Sequence, residues 1–314
     1  MTDKICKIVI TGGAGFIGSH IAAYWSGQGA QVHIIDNLRS GFVSNIGGIK
    51  GVLFHKGSIT DRGLVFDVLK DSDYVFHLAA LVSVIESVKK PAECVDINVK
   101  GLLNVLDASK DYGVKKVVLS SSAAVYGDNP VSPKTTGMKP APKSPYGITK
   151  LDGELYLAMY HDLYNLGSVS LRYFNVFGPG QDPKSQYSAA IPIFVNRALN
   201  NQPIIIYGDG EQTRDFIFVE DVVKANILAA TNPDVTGTFN VATGRAVSIN
   251  QIVGLVLEET KSKSVIYYEQ ERPGDIKHSL ASIELTKAVF QFEPEYDLEK
   301  GIRETVRYFI NNSK

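Results

Sequence analysis

The feature that most constrains this chain is Thr11-Gly12-Gly13-Ala14-Gly15-Phe16-Ile17-Gly18, which follows the apolar residues 5–11 and opens a helical pattern. Glycines at this spacing let a strand turn sharply into a helix, let a pyrophosphate approach the backbone, and let the helix pack closely on the strand. The free N–H groups at the helix start then face the phosphates. A second strand over residues 31–35 ends in Asp36, eighteen residues beyond Gly18. A carboxylate there binds a ribose 2′-hydroxyl and repels a 2′-phosphate, so the expected ligand is NAD in preference to NADP, with Arg39 nearby as the one contrary sign.

Strand and helix patterns keep alternating. Residues 52–55, 73–78, 117–121 and 168–173 read as further strands, short and apolar as buried parallel strands are. Residues 91–112 read as one long helix with Val95, Val99, Leu102, Leu103 and Leu106 inward and Asn98 turned towards the cofactor. The repeat breaks after about residue 176. The expectation is an α/β chain with a Rossmann-type doubly wound parallel sheet over residues 1–176 and a smaller C-terminal α/β substrate-binding lobe over 177–314. Segments around 214–243 are expected to return to the sheet, and residues 297–309 to form an amphipathic closing helix.

Charge excludes some partners. Thirty-two Lys and Arg against 33 Asp and Glu leave a net charge of −1, which gives no electrostatic case for nucleic acid or an anionic membrane. Cys6 and Cys94 are far apart and match no metal or redox spacing. No signal peptide precedes the first strand and no apolar run is long enough to span a bilayer, so the cytoplasm is the expected compartment.

The chemistry is concentrated in Ser120-Ser121-Ser122-Ala123-Ala124-Val125-Tyr126-Gly127 and Ser144-Pro145-Tyr146-Gly147-Ile148-Thr149-Lys150. A strand end delivers a hydroxyl where open α/β sheets place their ligands. Ser144 suits a helix cap and Pro145 its first turn, which stacks Tyr146 and Lys150 on one helical face. Such a trio suits proton transfer at a hydroxyl. Bringing a phenol from a pKa of about 10 to about 7 takes roughly 4 kcal/mol. A Lys cation at about 4 Å supplies that order of energy at an effective dielectric of about 20. A plain aromatic stem packing beside a solvated Lys is the competing reading. His77, at a strand end, reads either as a base or as a structural residue. Arg214 and Arg272 on separate loops either clamp a diphosphate or form surface ion pairs with Asp215 and Asp275.

Taken together, residues 11–18, the serine run ending in Tyr126-Gly127, Tyr146 with Lys150, and Leu171-Arg172-Tyr173-Phe174-Asn175 resemble the extended short-chain dehydrogenase/reductases. Arg214-Asp215 and Arg272-Pro273-Gly274-Asp275 extend the resemblance to the nucleotide-sugar 4-epimerases. Residues 175–183 and 278–281 are most similar to the UDP-N-acetylhexosamine 4-epimerases. The resemblance implies a tightly held NAD, regenerated at each turnover, in a site of Gly12, Gly15, Phe16, Ile17, Asp36, Asn37, Ser40, Gly41, Ser58, Ile59, Leu78, Ala79, Ala80 and Asn98. Tyr146 would be the base for the sugar 4-hydroxyl, Ser122 would share its proton, Lys150 would hold the nicotinamide ribose, and Tyr173 would flank the nicotinamide. On the substrate side, Asn175, Arg214 and Arg272 would hold the diphosphate and Asp275 the uridine ribose. Tyr207 and Ala189 would border the uracil, and Ser83 and Gln181 would face the hexose. Ser279 would be a small gate beside the sugar 2-substituent, leaving room for an N-acetyl group, or else a serine that caps a turn.

Two departures from the family patterns matter. Ser58 replaces an acidic residue that contacts the adenine amino group, and Ala123-Ala124 stand where related dehydratases and decarboxylases carry acids. The second absence favours UDP-hexose 4-epimerisation, of GlcNAc and GalNAc or of glucose and galactose, over those reactions. A UDP-glucuronate 4-epimerase and a non-catalytic NAD-binding protein remain as alternatives. The resemblance also implies a homodimer formed through residues 91–112 and 145–165.

Overall fold

Ile8 and Ile10 point to one side of the first strand and Val9 to the other, and all three are fully buried, so that strand needs cover on both faces. The computed structural model, which describes residues 6–183, 190–271 and 277–312, supplies it. Strands β1 (Lys7–Thr11), β2 (Gln31–Asp36), β3 (Val52–Lys56), β4 (Tyr74–His77), β5 (Lys116–Ser122) and β6 (Ser168–Tyr173) join the Gly237–Val241 strand in one sheet. Its seven strands run in the order Gly237–Val241, β6, β5, β4, β1, β2, β3, and every pairing is parallel. The order reverses at β1. The chain moves outward to β2 and β3, then returns to β4 on the other side, which opens a crevice at the carboxyl ends of the strands.

The helices Phe16–Gly27 and Val219–Thr231 cover one face through Ile21, Ala22, Val222 and Ala225. The helices Arg62–Leu69, Gly101–Asp111 and Pro145–Tyr164 cover the other through Val65, Val68, Leu102, Val105, Leu106 and Leu157. The long helix expected over 91–112 is interrupted. Pro91–Val95 passes through one wide π turn, Asp96–Lys100, into Gly101–Asp111. That turn breaks the 3.6-residue stripe, so Leu102 and Leu106 are buried but Val95 is 48% exposed, not inward.

Beyond β6, Asn175–Phe177 pairs with Phe216–Phe218, Ile204–Tyr207 with Ile266–Glu269, and Thr213–Arg214 with Val247–Ser248. The helices Ala190–Leu199, Ile249–Thr260 and Leu298–Asn312 share a separate core built on Phe177, Ile191, Phe194, Ile252, Val256 and Ile302. No helix among the described residues is long and apolar enough to cross a membrane.

Candidate active site

The turn after β1 is as tight as its glycines suggest. Gly12 has φ +72°, and a Cβ there would lie 2.6 Å from the Ala79 nitrogen. Only a glycine leaves β1 this close to the segment after β4. A cleft of about 280 Å³ runs over the turn, lined by Gly12, Gly15, Phe16, Ile17, Asp36, Asn37, Ser40, Ser58, Ile59, Leu78, Ala79 and Ala80 among others. Gly41 packs against Ala14 and the Asp36 carboxylate just behind it. Asp36 accepts from the Ala14 and Leu38 N–H groups at 3.0 and 2.8 Å, which fixes its carboxylate at the end of β2. Burial pushes its pKa up and those two N–H groups pull it back. Arg39 also lines the cleft, but its guanidinium is held by Glu93 and Glu86 at 2.6 Å each, so it is not free to greet a 2′-phosphate. A glycine-floored cleft with a helix start at one side and a fixed carboxylate at the other fits a dinucleotide, and NAD better than NADP.

Asn98, expected at the cofactor, and Ser83, expected at the hexose, both bond to the backbone. Asn98 accepts from the Leu81 N–H at 2.7 Å and donates to the Leu81 carbonyl and to Thr149 Oγ1. It thereby holds the segment after Ala80. Ser83 spends its hydroxyl on capping the Val84–Lys89 helix, accepting from the Glu86 N–H at 2.8 Å. His77 is structural: its Nδ1 pairs with Thr11 Oγ1 at 2.9 Å, and burial pushes its pKa down to about 3.

Ser122, Tyr146 and Lys150 come together at the end of β5 and the start of the Pro145–Tyr164 helix. Ser144 accepts from the Gly147 N–H at 3.1 Å and Pro145 opens the helix, so Tyr146 and Lys150 project from its first two turns. Ser122, at the end of β5, stands beside the Tyr146 phenol and accepts from the Ala124 N–H at 3.1 Å. Lys150 Nζ donates to the Ser120 carbonyl at 2.5 Å and lies 5.7 Å from the centre of the Tyr146 ring. The expected electrostatics are not met by the chain alone. Burial pushes the Tyr146 pKa up, the Ser122 hydroxyl only partly offsets it, and burial pushes Lys150 down to about 8. Desolvation dominates at Tyr146, and the Lys150 ammonium is directed at the Ser120 carbonyl.

A second cavity, of about 460 Å³, brings Ser122, Tyr173, Asn175, Arg214 and Ser279 together with Ala123, Ala124, Tyr126 and Lys134. Ser120 lines the first cleft and Ser122 the second, so the carboxyl end of β5 borders both, while Tyr146 and Lys150 line neither. Tyr173 donates to Asn226 Oδ1 at 2.9 Å, which fixes its ring, and burial pushes its pKa well up. Asn175 donates to the Asp215 carbonyl. Arg214 donates to the Thr213 carbonyl at 2.8 Å. The ion pair between Arg214 and Asp215 that competed with a diphosphate clamp does not form. Asp215 is fully buried and accepts instead from Thr243, Gly244 and Ala281. Gln181, expected at the hexose, lines the dinucleotide cleft and donates to the Val176 carbonyl. Tyr207 ends its strand and lines neither cavity. Ala189, Arg272 and Asp275 lie outside the described residues. Lys134 and Glu154 were missed. Lys134 had no motif around it, and the signal for Glu154 was its place one helical turn beyond Lys150.

Comparison with known proteins agrees with this geometry. The chain is 37% identical over 309 residues to a putative UDP-glucose 4-epimerase of Methanocaldococcus jannaschii, covering 98% of this chain and 99% of that one. Its fold superposes with a TM-score of 0.94 on a UDP-N-acetylglucosamine 4-epimerase from Methanobrevibacter ruminantium in complex with UDP-N-acetylmuramic acid, at 45% identity over 98% of this chain and 99% of that one. It also superposes, with a TM-score of 0.93, on the UDP-glucose 4-epimerase of Thermotoga maritima with UDP-glucose, at 40% identity over 98% and 100% of the two chains. With its residues 8–242 matching the sequence pattern of that group, this chain belongs to the NAD dependent epimerase/dehydratase family.

Proposed function

We propose that this protein is an NAD-dependent UDP-sugar 4-epimerase that interconverts UDP-GlcNAc and UDP-GalNAc and also accepts UDP-glucose and UDP-galactose. The observation that carries the reading is the shared cavity: Ser122, beside the Tyr146 phenol, and the small Ser279 border the same space. Tyr146 takes the proton of the sugar 4-hydroxyl, Ser122 shares it, and Lys150 holds the ammonium charge beside them. NAD held in the cleft of Gly12, Gly15 and Asp36 would supply the hydride acceptor, and in its reduced form the hydride donor, for oxidation and reduction at C4. Asn175 and Arg214 hold the diphosphate, and Tyr173 orients the cofactor side of the cavity. Space beside Ser279 admits an N-acetyl group without rejecting a hydroxyl, since a larger pocket discriminates weakly against a smaller ligand.

A second reading, a UDP-glucuronate 4-epimerase, has one observation in its favour. Lys134 lines the same cavity, its ammonium capped by the carbonyls of Asn129 and Val131. The discriminating experiment is a panel of UDP-GlcNAc, UDP-GalNAc, UDP-glucose and UDP-glucuronate with products resolved by NMR. Turnover of the N-acetylated pair supports the first reading; turnover of the uronate alone replaces it. The division between a cofactor lobe (1–176) and a sugar-nucleotide lobe (177–314) belongs to the same proposal, as does a homodimer. The dimer is supported by Leu155, Met159 and Leu163, an exposed apolar stripe at four-residue spacing on the Pro145–Tyr164 helix.

A further inference from the structure

Behind the reacting groups lies a buried pair of charges. Glu154 sits one helical turn beyond Lys150, Ser121 directly precedes Ser122, and Arg172 directly precedes Tyr173. Ser121 and Arg172 are register partners across β5 and β6. The Arg172 guanidinium grips both carboxylate oxygens of Glu154, Nε to Oε1 at 2.8 Å and a terminal nitrogen to Oε2 at 2.6 Å. Ser121 Oγ donates to the same Oε1 at 2.5 Å. Both charged side chains are only 4% exposed. The planar guanidinium fork matches a carboxylate in one orientation, so the pair fixes direction as well as distance. Each member is tied along its own element to a residue of the site.

We propose that Glu154 and Arg172 are positioning residues that lock the helix of Tyr146 and Lys150 to the strands of Ser122 and Tyr173 and together set the charge state of Lys150. The inference rests on the reading of Lys150 given above. The titratable groups around Lys150 are Cys94 from the Pro91–Val95 helix, His77 from β4, Tyr146 and Glu154 on its own helix, and Arg172 of β6 behind Glu154. Burial keeps Cys94, His77 and Tyr146 neutral near pH 7, since it raises the thiol and phenol and lowers the imidazole. Burial also works to strip Lys150 of its proton; an ionised Cys94 would oppose it, and with that thiol neutral the Glu154 carboxylate is the charge that does so. Arg172 moderates that carboxylate, so the two partners act on Lys150 with opposite sign. Removing either one exposes the other as an uncompensated buried charge.

The test is the titration of Lys150 in the NAD-loaded protein, read by NMR of lysine labelled at Cε, with its signal assigned by its loss in Lys150→Met. Glu154→Gln leaves Arg172 unpaired and is expected to lower the Lys150 midpoint by about one pH unit, and Arg172→Met to raise it by a similar amount. The double variant is expected to return it to the wild-type value. The alkaline limb of kcat/KM for epimerisation moves in step. A pair that served packing alone would leave the midpoint in place or move it the same way in both single variants, and either result overturns the proposal. Where a charge-removing variant fails to fold, Glu154→Asp keeps the charge and shortens the grip. It is expected to leave the midpoint unchanged while kcat falls at every pH, and a wild-type kcat there overturns the positioning role. Midpoints that move as stated in a chain that inverts no UDP-sugar support the charge coupling and overturn only the functional reading.

Discussion

At the scale of single residues, the site depends on a phenol whose surroundings resist its ionisation, because burial raises the Tyr146 pKa and holds Lys150 near 8. The Ser122 hydroxyl is the chain's own counterweight. Tyr146→Phe removes the proton acceptor and keeps the ring, so kcat is expected to fall by roughly 10²- to 10⁴-fold with fold and bound NAD retained, measured by turnover and by absorbance of the released cofactor. Undiminished kcat would assign the base elsewhere. Ser279 is argued by volume. Ser279→Tyr fills the cavity beside Ser122 and is expected to lower kcat/KM for UDP-GlcNAc at least about tenfold while sparing UDP-glucose. Equal losses on both sugars would remove Ser279 from the gate. Tyr146, Lys150 and Ser122 were legible because a cap, a proline and a four-residue spacing announce themselves locally. Glu154 and Arg172 were not, since a buried ion pair joins positions 18 residues apart on different elements.

At the scale of elements, the glycine turn and Asp36 were readable because one short strand–turn–helix unit contains the whole signal. The π turn at Asp96–Lys100 was not, and it moved Val95 out of the stripe assigned to it. Nor does sequence show that the loop after β2 is tied to the helices after β4. Arg39 bridges to Glu86 and Glu93, and Lys90 joins the same carboxylates at 3.5 and 3.3 Å. Because β1 lies between β2 and β4, this bridge passes over the end of β1 and the turn that floors the cofactor cleft. Glu86→Gln with Glu93→Gln is expected to speed loss of bound NAD on dialysis several-fold. Salt should quicken loss from the wild type more than from the variant, because partly exposed pairs are screened. Identical loss rates would show that the bridge plays no part in retention.

At the scale of the whole molecule, the doubly wound sheet places the cofactor cleft and the sugar cavity side by side, with Ser120 and Ser122 of β5 facing one each. The doubly wound parallel sheet was legible in the βα alternation, and a smaller second lobe in its break after about residue 176, whereas the strand pairing within that lobe was not, because its strand pairs are two to four residues long and join distant segments. Sedimentation is expected to find a dimer that Leu155→Glu with Leu163→Glu converts to monomer; a wild-type monomer would contradict that assembly. The central claim, that C4 is oxidised and reduced inside one closed site, is tested most directly with UDP-GlcNAc carrying deuterium at C4. The expected product is UDP-GalNAc that keeps the deuterium at C4 with none exchanged for solvent hydrogen. Product that has lost the label to water, or no inversion at C4 of any UDP-sugar, would contradict it.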